Sequence, residues 1–441
     1  MKLLKRLPSA LILNSGVALI DQAILSATNL VIAFILIKTV PKEEYGHYSI
    51  VFAVSLFLIS IQNAIVTTPL AVLLAAKDTH RKNGYVAALY WGQLLAIIPA
   101  AVLGLIATGG LYLYGLDAVE VWTIGALCVG AIGILLREFS RAYYFAQESP
   151  LKVLKLDTLY TLIYFGLTLM AFGLFRISVP LIFLFMGASG LITSLLFNCR
   201  GSSFSWQSIR DSYREHWAFG KWALLGILVT HVQSYCNLYL IGSLLSTAAA
   251  GSVSASRLPL APLQLLQIGW GKIAIPRGSR LREAHQLRRF IKEQAVVTIG
   301  IAAAITAYVA VLLMSSDLLK RFLFNKGYES SLDFIVFWGA INIASFAWIN
   351  ASCGLQVMKE FEIIAKINAV TMVVTLAATY VLIGQYGIKG GLASSLLGET
   401  LLALALWWCL LRRYLLYAHA PQTRPKLLRW TLLYSRKGVS L

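Results

Sequence analysis

Residues 35–46 read ILIKTVPKEEYG, and residues 240–251 read LIGSLLSTAAAG. Each stretch ends one apolar run and closes on a glycine where the next apolar run begins. The flanking runs are long enough to cross the hydrocarbon core of a bilayer, which takes about 20 apolar residues in a helix. The two stretches therefore predict two membrane hairpins at corresponding places in two halves of the chain.

Extending this reading outward gives twelve apolar segments, and these predict twelve transmembrane helices. They lie at 13–37, 47–70, 85–108, 119–145, 156–174, 177–197, 220–243, 250–275, 294–314, 333–357, 363–384 and 388–411. Within lipid the backbone must satisfy its own hydrogen bonds, so only helices and closed barrels span. The segments lack the two-residue alternation of barrel strands. We therefore expect an all-α integral membrane protein.

The composition agrees with a membrane protein. Of 441 residues, 58% are hydrophobic and only 13% are charged, which is too little polar surface for a soluble chain of this length. A net charge of +19 is compatible with binding either nucleic acid or anionic lipid. Because the basic residues lie between apolar runs, we expect anionic membrane lipids as partners and no nucleic acid.

The basic residues are distributed unevenly between the loops. Thirty of the 38 Lys and Arg residues fall in one alternating set of gaps, seven fall in the other set, and Arg257 lies inside an apolar segment. Basic loops stay on the cytoplasmic side of a membrane. With an even number of helices, this predicts that both termini are cytoplasmic.

The order of features suggests an internal repeat of six helices. The two opening stretches correspond, and so do the exits of the fourth and tenth helices at residues 145–148 (FAQE) and 357–360 (VMKE). Two six-helix halves of the same orientation are related by a pseudo-twofold axis along the membrane normal, with a substrate route between them. We expect an N-terminal bundle at 1–197 and a C-terminal bundle at 220–411.

Two polar segments lie outside the bundles. Residues 198–219 mix aromatic and charged residues and indicate either an interfacial linker helix or a solvated loop. Residues 412–441 form a basic tail that either rests on lipid headgroups or is disordered.

Arg257 is the first candidate for a functional residue, because ionisable groups at membrane depth are expensive and mark functional sites. It lies in GSVSASRLP (251–259), after small residues and before Pro259 and Pro262, which loosen the helix. Gln264 is seven residues further on and shares its face. A guanidinium binds phosphate bidentately. The alternative is that Arg257 reaches the outer headgroups or pairs with a carboxylate.

Other candidates are charged. Arg137 and Arg141 share a helix face and would either receive an anionic headgroup or act as membrane anchors with Glu138 as local partner. Asp21 and Glu399 lie within apolar helices and would either couple transport to a cation or pair with an arginine.

Neutral polar residues cluster on the first two helices of each half. They would bind sugar hydroxyls or join helices by hydrogen bonds. The candidates for a substrate route are Gln22, Asn29, Gln62 and Asn63.

The sequence argues against an enzyme. It has no GxxxxGK[ST] loop, no strained nucleophile turn and no Cys/His cluster, so we expect no cofactor, no metal and no ATP hydrolysis. Polysaccharide polymerases and ligases need a large outer loop with catalytic charges, and the outer loops here are short.

The chain resembles the Wzx-type lipid-linked polysaccharide flippases of the multidrug/oligosaccharidyl-lipid/polysaccharide exporter superfamily. The resemblance is carried by residues 29–69, with PKEEYGHY at 41–48; by residues 220–266, with the small-residue run before Arg257; and by residues 355–408, with YGIKG at 386–390. These motifs are individually loose, and their order and spacing carry the match.

The resemblance implies a V-shaped bundle in the bacterial inner membrane that moves undecaprenyl-diphosphate-linked oligosaccharide outward for exopolysaccharide, lipopolysaccharide or O-antigen assembly. It places Arg257 against the diphosphate and implies a polysaccharide polymerase and a chain-length regulator as partners. Many relatives have an acidic residue near Asn237, so the Asn here puts their cation site in doubt, although Asn237 is retained as an ion-coupling candidate. The main alternative is a cation-coupled drug exporter of the same superfamily.

Overall fold

The computed structural model describes residues 9–77, 79–174, 177–197, 205–322, 328 and 332–418. All regular secondary structure in these residues is helical. The helices are α1 (Ser9–Thr39), α2 (Lys42–Gln62), α3 (Thr68–Ala76), α4 (Thr79–Leu113), α5 (Ala118–Ala146), α6 (Pro150–Leu174), α7 (Val179–Leu196), α8 (Trp206–Leu244), α9 (Thr247–Arg257), α10 (Ala261–Glu283), α11 (Leu287–Met314), α12 (Ser316–Phe322), α13 (Phe334–Val357) and α14 (Phe361–Ala418).

Ten helical stretches in the described residues are long and apolar enough to cross a membrane. One of them, Phe361–Leu415, has 55 residues, which is about 80 Å of helix and more than twice the hydrocarbon thickness. Gly387 has φ 57° and ψ −134° and breaks α14 at this point. Helix α14 therefore crosses twice, at the two places where the sequence predicted separate helices.

The remaining crossing is broken in the middle. Helices α9 and α10 are joined by a 3₁₀ turn, Leu258–Leu260, which contains Pro259. The second crossing has a matching break, because the π-helical turn Asn63–Thr67 separates α2 from α3. Over the described residues the chain thus makes twelve crossings, six in an N-terminal half (α1–α7) and six in a C-terminal half (α8–α14), and the predicted fold class is confirmed.

The fourth and tenth crossings end in the same way. Glu148 and Lys359 both have positive φ, 54° and 64°. The amides that follow them donate to carbonyls five residues back, from Ser149 to Tyr144 and from Glu360 to Leu355. This pattern is that of a helix closed by a left-handed residue. The same closure ends the third crossing at Gly115 and the eighth at His285, so it is a general way of ending these helices, and the FAQE/VMKE correspondence stays a prediction.

The connections lie at two ends of the bundle. The end that we call the basic face carries the connections at 77–79, 146–150, 197–206, 283–287 and 357–361. The opposite face carries those at 39–42, 113–118, 174–179, 244–247 and 314–334, together with Gly387. The predicted tail beyond residue 418 lies outside the described residues.

Helix α8 differs from the sequence prediction because it begins at Trp206 and runs unbroken to Leu244. The part of 198–219 that the structure describes is therefore no separate linker, but the first third of a 39-residue helix. Ser205 caps it by accepting a hydrogen bond from the Ser208 amide. The helix starts early because the exposed residues of this stretch face away from the bundle, while Ile209 and His216 are buried.

Helix α8 bridges the two halves. Near the basic face, Glu215 forms an ion pair with Lys77 (2.9 Å), and His216 is bonded to Tyr85 and to the Ile65 carbonyl. Burial lowers the pKa of His216 and keeps it neutral. Near the other end, Asn237 donates to the Gly391 carbonyl in α14 (2.8 Å). One helix is therefore attached to the N-terminal half at one end and to the C-terminal half at the other.

The halves meet most closely at the opposite face, through two glycines. A Cβ on Gly46 would lie 1.8 Å from the Thr247 carbonyl oxygen, and a Cβ on Gly251 would lie 2.5 Å from the Lys42 carbonyl oxygen. The α2–α9 contact is thus backbone against backbone, which only glycine permits. Gly46 and Gly251, the last residues of the stretches 35–46 and 240–251, therefore bring the two halves into backbone contact at this face. We call this contact the Gly46–Gly251 seal.

We predict that Gly46→Val forces α2 and α9 apart. The overpacking should cost about 1–3 kcal/mol and lower the thermal unfolding temperature of the detergent-purified protein by tryptophan fluorescence. Gly16→Val is the control, because a Cβ at Gly16 meets nothing within 4 Å. Equal unfolding temperatures for the two variants would show that the glycine contact does not hold the halves together.

Candidate functional site

Arg257 lies at the break in the eighth crossing. It is the last residue of α9, about 15 Å along the helix from Thr247, and so near the middle of a bilayer. Its guanidinium carbon is 5.2 Å from the centre of the Trp338 ring, and its side chain is partly exposed. The ring and the adjoining 3₁₀ turn hold a permanent cation at mid-depth.

The surroundings of Arg257 are fixed by hydrogen bonds. Trp338 donates its indole N–H to the buried Ser256 hydroxyl (3.0 Å). Glu399 accepts hydrogen bonds from the Ser345 hydroxyl (2.7 Å) and from Trp348, and it interacts electrostatically with Arg257. The predicted residues Arg257 and Glu399 are therefore brought into one site, with the carboxylate held by neighbours of its own.

An aromatic strip lies beside this site on α8. The rings of His231 and Tyr235 are 4.7 Å apart, and the His231 ring is 4.4 Å from that of Phe57 in α2. His231 is also hydrogen bonded to the Tyr239 hydroxyl (3.0 Å). Tyr235 interacts electrostatically with Arg257. The strip joins the two halves, and its ring faces and polar edges are of the kind that bind sugars.

The neutral polar candidates of the N-terminal half divide into two groups. Gln62 is buried and donates to the Gln93 side chain (2.9 Å) and to the Leu135 carbonyl (2.7 Å), so it joins helices within that half. Asn63 and Asn29 are exposed, and Gln22 is partly exposed. Asn63 lies in the π-helical turn and accepts a hydrogen bond from Thr67 (2.6 Å).

The side chain of Gln264 lies outside the described residues. Asn237 is buried and donates both to Gly391 and to the Ser395 hydroxyl (2.7 Å), which makes it an interhelical donor. Its carbonyl oxygen has no hydrogen-bond partner among the described residues.

Arg137 and Arg141 belong to a charge cluster in the N-terminal half. Asp157 accepts from Arg137 Nη2 (2.7 Å) and from Arg141 Nε (2.6 Å). Arg141 also reaches Asp21 (3.2 Å) and Glu138 (2.8 Å). Relative exposure is 6% for Arg137, 1% for Asp21 and 0% for Asp157, so the cluster is buried. The structure thus favours the ion-pair interpretation of these arginines and gives Asp21 an arginine partner.

The charges of this cluster do not balance. Its two guanidinium groups face three carboxylates, Asp21, Glu138 and Asp157, which leaves one negative charge when all are ionised. Asp21 Oδ1 is buried and has no hydrogen-bond partner among the residues that the structure describes. A buried uncompensated charge is costly, so the cluster favours the binding of one proton or another small cation.

Asp157 did not stand out in the sequence, because the fifth helix was expected to begin at 156. In the structure α6 begins at Pro150, which places Asp157 two turns inside it. A carboxylate in Lys-Leu-Asp (155–157) at the edge of an apolar run was the available signal.

Comparisons with known proteins agree with this geometry. The family model described as "Polysaccharide biosynthesis protein" matches residues 35–332. No curated protein sequence matches significantly.

Solved structures share the fold at low sequence identity. An inward-facing multidrug resistance MATE family transporter of the MOP superfamily has a TM-score of 0.68 at 13% identity, over 89% of this chain and 96% of its own. The Lipid II flippase MurJ in an inward closed conformation has 0.66 at 12%, over 90% and 87%. A MOP superfamily transporter from Pyrococcus furiosus has 0.63 at 13%, over 92% and 95%. The chain therefore has the fold of these transporters, with two six-helix bundles.

We predict that Asp157→Asn strongly destabilises the N-terminal half. The Asp157 carboxylate accepts from both Arg137 (2.7 Å) and Arg141 (2.6 Å), whereas an amide has only one acceptor oxygen, so one guanidinium loses a charge-assisted hydrogen bond that is worth about 1.5–3 kcal/mol. The measurement is thermal or denaturant unfolding of the purified protein. Glu362→Gln is the matched control, because its ion pair with Lys366 is exposed, and exposed ion pairs contribute little to stability. A loss for Asp157→Asn no larger than for Glu362→Gln would contradict the prediction.

Proposed function

The chain belongs to the family of polysaccharide biosynthesis proteins, and on this premise we propose that it is a flippase for undecaprenyl-diphosphate-linked oligosaccharide. It would move the repeat unit from the cytoplasmic to the periplasmic leaflet by alternating access, as a step in surface or exopolysaccharide assembly. The fold it shares with a structure described as a Lipid II flippase supports a lipid-linked substrate.

The position of Arg257 carries the proposal. It puts a permanent cation at mid-depth, at a break in a helix and over the ring of the partly exposed Trp338. A diphosphate is the part of a lipid-linked sugar that needs a cation on its way across. The exposed Asn29 and Asn63, with the partly exposed Gln22, provide the donors and acceptors that sugar hydroxyls need.

The packing indicates where the lipid enters. Helix α8 meets α2 at Ile50 with Gly242 and at Phe57 with His231, and it meets the π-helical turn at Ala64 with Gly220. A lipid whose chain stays in the bilayer cannot pass through that seam. We place its entrance on the other side, between α1 and α10, since α1 packs on α6 and α10 packs on α11 and α13.

The basic loops set the orientation that we propose. Because the basic face carries most of the Lys and Arg residues, it should lie in the cytoplasm, with both termini, and the protein in the bacterial inner membrane. The Gly46–Gly251 seal then faces the periplasm. A polymerase and a chain-length regulator would act next on the product at that face.

The charge cluster is our proposal for the coupling site. Its net negative charge and the unpartnered Asp21 oxygen support uptake of one proton by Asp21 during each cycle. The arginines occupy the positions around Asp157 that a metal ion would need. Glu399 remains a second coupling candidate beside Arg257, and Asn237 a weaker one.

The alternative, a cation-coupled drug exporter, is supported by the fold shared with a multidrug transporter. A cationic drug needs carboxylates that face the route. Asp21 and Asp157 are instead buried against arginines, and Arg257 would repel such a substrate. The flippase is therefore the better proposal.

We predict that Arg257→Ala reduces export of the polysaccharide, or flipping of a labelled lipid-linked oligosaccharide in proteoliposomes, by at least about tenfold, because a charged hydrogen bond to phosphate is worth roughly 1.5–3 kcal/mol. Arg257→Lys should retain a substantial part, since the charge remains. Arg412→Ala is the control, with a similar arginine–tryptophan contact (5.3 Å to Trp408) near the basic face. Wild-type flipping by Arg257→Ala would rule out the diphosphate role.

We predict that Asp21→Asn uncouples flipping from the proton gradient. The neutral amide removes the excess negative charge, so transport should become insensitive to a protonophore and to an imposed pH difference. Asp211→Asn is the control, because Asp211 is exposed on the extension of α8. Gradient-dependent flipping by Asp21→Asn at the wild-type rate would exclude this residue as the coupling group.

A further inference from the structure

A groove separate from Arg257 lies between α10 and α11 at the basic face. It encloses about 850 Å³ and is lined at one end by charged residues. We call this end the basic groove and define it by Arg277, Arg288, Arg289, Lys292 and Glu293. It is formed by the connection 272–292, which has more basic residues than any other internal gap between crossings.

Glu293 organises the basic groove. It accepts two hydrogen bonds from Arg277 (2.7 and 2.8 Å) and one from Arg289 (3.2 Å). One carboxylate thus holds two guanidinium groups in place across the gap between the helices. Four cations against this one carboxylate leave the groove with a net charge of +3.

The basic residues stand at an unfavourable place for a helix. Arg288 and Arg289 are in the first turn of α11, where the positive end of the helix dipole is unfavourable for cations. The same dipole attracts an anion. The helix end and the side chains therefore act together on one negatively charged group.

The other end of the groove is apolar and lies farther from the basic face. Ile273 is one turn from Arg277 on α10, and Val296 is one turn from Lys292 on α11; they are 60% and 68% exposed. Trp270 and Val297 continue the lining. The groove thus runs from headgroup depth to acyl-chain depth, which suits a lipid with an anionic head.

We propose that this groove is the reception site for the lipid-linked substrate: the diphosphate binds the basic groove, and the first prenyl units lie between Ile273 and Val296. This rests on the proposed function and adds a waiting position to it. A net charge of +3 matches the two negative charges of a diphosphate diester better than the one of an ordinary phospholipid.

The position of the groove supports this occupant. Its α10 wall continues through the 3₁₀ turn into α9 and Arg257, so a lipid held there lies on the same crossing as the mid-membrane cation. The entrance proposed between α1 and α10 is about one helix diameter, roughly 10 Å, away. To reach this entrance from the groove, the substrate would move around α10 and would not have to cross the bilayer.

The test is a binding measurement on the full chain in nanodiscs with geranylgeranyl diphosphate as probe. It is made in an Arg257→Ala background, so that the mid-membrane cation does not contribute. Arg288→Glu with Lys292→Glu should weaken binding at least about tenfold, since each basic residue near an anionic lipid is worth about 1 kcal/mol. Arg210→Glu with Arg214→Glu, exposed on α8, should change binding less than about twofold, because neither residue lines the groove and exposed charges farther away than a Debye length are screened.

A second variant keeps the charges. Val296→Trp fills the apolar end at an exposed position and should weaken geranylgeranyl diphosphate binding, but not the binding of inorganic diphosphate. Cardiolipin, which has two phosphates and no prenyl chain, should not compete at equal concentration.

Unchanged probe affinity in the charge-reversed protein would overturn the site, and competition by cardiolipin would overturn the choice of occupant. Neither readout involves flipping. Failure of this inference therefore differs from failure of the proposed function, which Arg257→Ala tests by transport.

Discussion

The cost of leaving a charge in hydrocarbon is the constraint on which this structure depends. A charge at membrane depth must be paired, or must line a wet route. The two halves of the molecule meet this requirement in different ways. In the N-terminal half, Arg137 and Arg141 are paired with carboxylates, and Arg137, Asp21 and Asp157 are buried, while Arg141 and Glu138 are partly exposed. In the C-terminal half, Arg257 is partly exposed over a tryptophan ring. The two halves of the repeat therefore differ: the N-terminal half has buried charges around Asp157, and the C-terminal half has the more accessible Arg257.

Helix breaks explain why the accessible charge lies where it does. A break frees backbone groups, and these are tolerated at membrane depth only beside protein or water. Both breaks fall in the second crossing of a half, at Asn63–Thr67 and at Leu258–Leu260. Each places a polar side chain, Asn63 or Arg257, at the break. The same geometry that costs helix stability therefore supplies polar groups to the space between the halves.

Hydropathy predicted the twelve crossings because a transmembrane helix has one dominant requirement, a run of about 20 apolar residues. Even the break of α14 at Gly387 lies between two predicted segments. The sequence did not predict features that depend on contacts between helices far apart in the chain. Helix α8 begins fourteen residues earlier than expected, since its first turns are stabilised by Lys77 and Ile65, which are far away in sequence. Asp157 was missed, and only the local partner of Arg137 and Arg141, Glu138, was predicted, because ion pairs across helices leave no periodicity in one sequence. Arg257 could be predicted, since a lone charge in an apolar run needs no partner to be noticed.

The attachment of α8 to both halves limits how the molecule can move. Its first third is fixed to the N-terminal half by Glu215 and His216, and Asn237 fixes its other end to α14. If the halves rock apart at the Gly46–Gly251 seal, the distance between these attachments changes, and a continuous helix must bend to follow. The intervening stretch contains Gly226, where a Cβ would meet nothing within 4 Å, and mostly exposed or partly exposed residues. Bending there would cost few contacts. It would also displace His231, whose ring contacts Phe57, and Tyr235, whose ring contacts that of His231. The movement that separates Gly46 from Gly251 would therefore also change the site around Arg257, because α8 itself carries the displacement from one to the other.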